Sequence, residues 1–151
     1  MKKVVALFAA VLLPTAFAAG TTSTPITVNA NVVSSCIFDT SATSAASFTY
    51  NAVNGTSGAV NGSATLYCNS GTAVSMTSAT SGTKALSNGG TASLNTSYTL
   101  GMSAVAAGTG TGTYAGADKY TFTLAVTAAS GQWGVPTASN YTNTVDINVS
   151  F

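Results

Sequence analysis

Few side chains in this chain could carry out chemistry. Acid–base work would fall to three aspartates, Asp39, Asp118 and Asp146, because the sequence holds no His and no Glu. General acid–base catalysis usually draws on His or on carboxylates tuned by their neighbours. Asp39 and Asp118 fall in apparent turns and Asp146 on the outward side of an alternating run, so no paired-carboxylate site is expected. Ser and Thr are abundant, but no G-x-S-x-G elbow accompanies them. The stretch GTGTGTYAGA has the glycines of a phosphate loop but neither its Lys nor a following helix pattern. It reads as a mobile loop. The expectation is a protein that is not an enzyme and takes no cofactor.

The remaining chemistry lies in two cysteines, Cys36 and Cys68. An even pair in an exported chain is most simply a disulfide, and two Cys without His do not suggest a metal site. Export is suggested by the first residues. MKK supplies a positive start, VVALFAAVLL an apolar core, and Ala16-Phe17-Ala18 a small-x-small cleavage site. Cleavage after Ala18 is expected, leaving Lys84 and Lys119 against the three aspartates. So little charge leaves no basic face for nucleic acid and no Arg clamp for phosphate. Solubility must rest on Thr, Ser and Asn, which suits a surface or fibre component. Asn54, Asn61, Asn95, Asn140 and Asn148 open Asn-x-Ser/Thr triplets, but in so Asn- and Thr-rich a chain these carry little weight.

These residues need a scaffold, and the composition points to an all-β one. Thr, Val, Tyr and Phe favour strands, while the usual exposed-helix residues are nearly absent. Turn signals recur at Asn54-Gly55, Asn61-Gly62, Ser70-Gly71, Ser81-Gly82 and Asn88-Gly89. Between them lie runs of period two. Ile26, Val28, Ala30 and Val32 share one face. Phe48 and Tyr50 share another, followed by Ala64, Leu66 and Cys68, then Val74 and Met76. Leu94, Tyr98, Leu100 and Met102 form a longer run, and Tyr120, Phe122, Leu124 and Val126 the next. Trp133 is expected to cap one end of the core. Val145, Ile147, Val149 and Phe151 alternate with Asp146, Asn148 and Ser150 in a closing strand. Such a strand needs a neighbour on each edge or it remains a template for pairing.

Three stretches together resemble a known family. ITVNANVVSSC leads an alternating strand into the first cysteine, ATLYCNSGTAVSM carries the second cysteine with an apolar strand after it, and NYTNTVDINVSF closes on alternating apolars and an aromatic. In this order they resemble the spore coat U-type domain, the family that includes the pilins of archaic chaperone–usher pili. The resemblance implies an incomplete immunoglobulin-like β-sandwich of about six strands, lacking its last strand. Following the signal peptide read above over residues 1–18, it also implies an N-terminal donor-strand extension over residues 19–31 and a pilin domain over residues 32–151. The donor would carry Ile26, Val28 and Ala30 as plugs. The acceptor groove, also the chaperone contact, would be lined by Val145, Ile147, Val149 and Phe151. Cys36 and Cys68 would tie the domain's first two strands together.

The implied partners are neighbouring identical or related subunits, a periplasmic chaperone and an outer-membrane usher, with no nucleic acid. The implied location is the periplasm and then a cell-surface pilus serving adhesion and biofilm formation. The alternative is a secreted, self-complete β-sandwich acting as a coat or matrix protein, in which the N-terminal run pairs within its own chain.

Overall fold

The computed structural model describes residues 23–151. The chain divides into two compact units, one ending at Asn31 and the other starting at Val32. The expected signal peptide, residues 1–18, and residues 19–22 of the expected donor extension lie outside the described residues. In the first unit, residues 23–31 form no helix, strand or bridge, so the strand expected through Ile26 and Val32 is not formed. Ile26 and Val28 are 85% and 86% exposed. Alternation alone does not make a strand, because each backbone group needs a partner on a neighbouring one.

The second unit is all-β. Its strands are β1 (Cys36–Ser44), β2 (Val60–Cys68), β3 (Ser75–Met76), β4 (Ser81–Ser87), β5 (Ser93–Met102), β6 (Asp118–Thr127) and β7 (Val149–Ser150). One short 3-10 turn, Gly112–Tyr114, is the sole helical element among the described residues. The strands form a five-stranded sheet in the order β1-β2-β6-β5-β4 and a two-stranded sheet of β3 and β7. Every pairing is antiparallel.

Period two fixes which side of the large sheet is buried. Phe38 lies opposite Leu66, Leu66 opposite Tyr120, Ala64 opposite Phe122, and Met102 also opposite Phe122. These side chains share one face, and the fully buried Phe122 and Leu66 are its centre. Burying a Leu or Phe side chain contributes about 1.5–3 kcal/mol. From the other layer, Val74, Met76, Ile147 and Val149 pack against the same cluster. Cys36 and Cys68 are directly opposite in the β1–β2 ladder and form a disulfide across 32 positions of sequence. Closing a loop of that length contributes about 3–4 kcal/mol in the chain-entropy account.

Several expectations are corrected. Ser81-Gly82 does not mark a turn but opens β4, and Gly82 is there because the Tyr98 ring opposite lies where a Cβ would point, about 3.0 Å away. Phe48 and Tyr50 belong to no strand. Past Asp39 the register of β1 against β2 slips, and the 44–46 backbone then crosses so close to Gly62 that a Cβ there would sit 2.8 Å from Ser44 O. That crossing carries residues 45–50 off the large sheet. Asp39 and Asp118 lie in β1 and β6, not in free turns.

Trp133 does not cap the core, being 72% exposed. Its neighbour Gln132 turns inward instead. Asn95 N–H donates to Gln132 Oε1 (2.8 Å), and Gln132 Nε2 donates to Asn95 O (2.9 Å), continuing the β5 ladder where β6 has ended. The chain needs a polar side chain at that place, and the Trp beside it is left outside.

Candidate functional site

The site begins with an unsealed core. Around the buried cluster of Ala64, Leu66, Cys68, Leu100, Tyr120 and Phe122, the surrounding apolar side chains Cys36, Phe38, Met76, Met102, Leu124, Ile147 and Val149 are only half-buried. One side of the exposed region is β1, which lies at the edge of the large sheet and has Ile37 exposed on its outer face. The other side is the last stretch of chain, residues 141–151.

That last stretch keeps its alternation. Val145, Ile147 and Val149 are half-buried, while Asp146, Asn148 and Ser150 are exposed. Only Val149–Ser150 forms a ladder, with Ser75–Met76. Further bonds on the same edge come from Thr77 N–H to Asn148 O (2.8 Å), Asn148 N–H to Ser78 Oγ (2.6 Å) and Ser78 O–H to Asp146 O (2.9 Å). Backbone groups of successive strand residues point to opposite edges. Asp146, Asn148 and Ser150 thus point at β3, and Ile147 points at the other edge. There the Ile147 N–H and C=O have no hydrogen-bond partner among the described residues. The closing strand expected from the sequence is therefore realised over two residues, because a ladder exists on one side only.

The implied acceptor residues do not all behave alike. Ile147 and Val149 pack on the core cluster, Val145 is half-buried, and Phe151 is 56% exposed. Of the implied donor residues, Ile26, Val28 and Ala30 are exposed and take part in no strand.

Two concavities lie elsewhere on the second unit. A cleft of about 690 Å³ lies between residues 45–52 and residues 135–142, with Leu86 and Leu94 beneath and Phe48, Tyr50 and Tyr141 among its walls. Sequence reading missed it, since Phe48 and Tyr50 looked like strand residues. A shallower hollow of about 330 Å³ lies beside the disulfide, where Tyr67 and Tyr114 stack with ring centroids 4.3 Å apart.

The carboxylates do structural work. Gly71 N–H and Gly108 N–H both donate to the buried Asp118 carboxylate at 2.8 Å. These donors, Gly71 first, hold its carboxyl below the ordinary aspartate value. The bonds clamp two loops to the start of β6, and the glycine-rich stretch expected to be mobile is further closed by Gly110 N–H to Ala117 O (2.9 Å). The Ser41 hydroxyl and N–H likewise hold the Asp39 carboxyl low. Among the described residues no group of His, Cys, Asp or Glu is arranged to hold a metal, and no helix is long and apolar enough to cross a membrane.

What the arrangement offers is shape and backbone bonding: an unpaired edge at Ile147 and apolar side chains beside it. Compared with known protein families, curated proteins and solved structures, the chain gives no match.

Proposed function

We propose that the protein is a structural subunit of a surface pilus, assembled through the chaperone–usher route by donor-strand exchange. In this reading the domain is an immunoglobulin-like β-sandwich lacking its last strand. The N-terminal run of a neighbouring copy lies along the Ile147 edge and seals the core. A periplasmic chaperone holds the edge first, and an outer-membrane usher exchanges it. The filament serves adhesion and biofilm formation, and its work is mechanical. The chain is exported by its first 18 residues.

The observation that carries this reading is the unpaired edge at Ile147 beside half-buried Val145 and Val149. Strand addition uses such an edge, with backbone bonds supplying affinity and alternate side chains filling pockets. Donor plugs Ile26 and Val28 would each contribute about 1.5–3 kcal/mol on full burial. A nearly uncharged surface is compatible with a polymer held by ladders and apolar contacts. The self-complete coat or matrix protein differs in pairing its N-terminal run within its own chain.

Deletion of residues 19–31 tests the proposal. The shortened subunit is expected to bind a chaperone yet form no SDS-resistant multimers. Multimers at the level of the intact protein would overturn it.

A further inference from the structure

Two alternating runs in this chain have the same length. Ile26, Val28, Ala30 and Val32 make one, and Val145, Ile147, Val149 and Phe151 the other. Resting on the donor-strand reading above, we infer that the two runs meet in a single antiparallel register: Ile26 of one copy opposite Phe151 of the next, Val28 opposite Val149, Ala30 opposite Ile147, and Val32 opposite Val145.

Three observations lead to this register. The first is the backbone direction at the receiving edge. Since Asp146 and Asn148 use their carbonyls toward β3, Ile147 is the residue whose N–H and C=O face the open side. A strand laid there must place the residue opposite Ile147 so that both side chains share the core face and both backbones exchange bonds. Ala30, whose neighbours Val28 and Val32 are of the same parity, meets that condition.

The second is how each run is bounded. Pro25 precedes Ile26 and lacks the N–H that a ladder needs. At the other end the apolar run passes into Ser34, and in this register Ser34 falls opposite Asn143. Asn143 is already committed to a polar role, its Nδ2 donating to Ala85 O at 2.8 Å. A slip of two residues would set Ser34 against Val145, or Thr24 against Phe151 and Val32 against Asn143, pairing apolar side chains with polar ones. Slips of one residue would turn every plug to solvent.

The third is direction. A parallel match would also align the apolar positions, but every pairing in the described residues is antiparallel, and parallel pairs are slightly less stable per residue. The outward-facing pairs then follow: Thr27 opposite Ser150, Asn29 opposite Asn148, and Asn31 opposite Asp146. All six are exposed. They are the non-hydrogen-bonded pairs of the ladder, whose side chains come closest and whose spacing suits a disulfide.

Full-length Thr27→Cys subunits should be co-assembled separately with Ser150→Cys, Asn148→Cys and Asp146→Cys subunits, oxidised, boiled in SDS without reductant and scored for covalent dimers. Because each subunit carries only one added cysteine, a bond between the two variants joins different chains. Dimers are expected with Ser150→Cys and at least tenfold fewer with the other two. Asn29→Cys with Asn148→Cys, the central pair in either direction, checks that the added thiols can react. Dimers chiefly with Asn148→Cys would overturn the register, and dimers chiefly with Asp146→Cys the direction. No dimers with any partner while SDS-resistant multimers persist would overturn the register and leave strand donation standing. Loss of multimers from the unmodified chain would remove strand donation and this register with it.

Discussion

The edge at β4 and the edge at β7 present the same hazard, a row of backbone groups with no full strand beside it, and the chain treats them in opposite ways. At β4 the groups at the C-terminal end of the edge are covered. Ser87 N–H and Thr142 N–H bond to each other's carbonyls at 3.0 Å, and Asn143 Nδ2 reaches Ala85 O. Lys84 stands on the core side of that strand, opposite the buried Thr96. A lysine turned inward on an edge is a known guard against pairing with another sheet. At β7 no charge is turned inward: Asp146 and Asn148 face solvent, and the core-side residues Val145, Ile147 and Val149 are apolar. A few residues after covering the end of β4, the same stretch of chain leaves its own edge open. The contrast indicates that openness at β7 is a local property of the last strand and not a general looseness of the domain.

The contrast can be tested by mutation, beginning with the change that should remove both edges. Phe122 is fully buried beneath the layer and contacts Phe38 with ring centroids 5.7 Å apart. Phe122→Ala should cost about 3–5 kcal/mol, read as a drop in the urea midpoint, with loss of multimers as well. Replacing both Cys36 and Cys68 by Ala loosens only the β1 side of the open region. It should cost about 3–4 kcal/mol in equilibrium unfolding. Asn143→Ala should have the smallest effect, about 0.5–1.5 kcal/mol, since it removes one bond at the β4 edge. If the two edges are independent, this variant keeps wild-type multimer levels while β4 amides exchange faster with deuterated water. Lost multimers would show that the 141–143 crossing also shapes the receiving edge.

The parts of the fold legible in the sequence are those where one face is buried and the other is not. β2, β5 and β6 alternate cleanly because their even-numbered residues meet one core, and Cys36 and Cys68 could be paired from export and count alone. β4 was hidden because Ser81-Gly82 looks like a turn, and only the Tyr98 ring across the sheet explains the glycine. Trp133 carried no local signal for exposure. Its position follows from the need of Asn95 for a polar partner past the end of β6, and that need arises between segments 37 residues apart. The cleft under Phe48 and Tyr50 was missed for the same reason, since it depends on the chain crossing at Gly62.

For the proposed site the division is similar. The sequence determined the alternation of Val145 through Phe151, the matching run from Ile26 to Val32, and the near absence of charge. Side-chain order along a strand is a local matter, fixed by a period of two. Tertiary structure decided which edge of that strand is occupied. Backbone bonds go to whichever segment is brought alongside, and here β3 takes the side of Asp146, Asn148 and Ser150, leaving Ile147 pointing away. Tertiary structure also decided that the end of β4 would be covered and β7 would not, because Thr142 and Asn143 reach the β4 edge before the chain passes to the other layer.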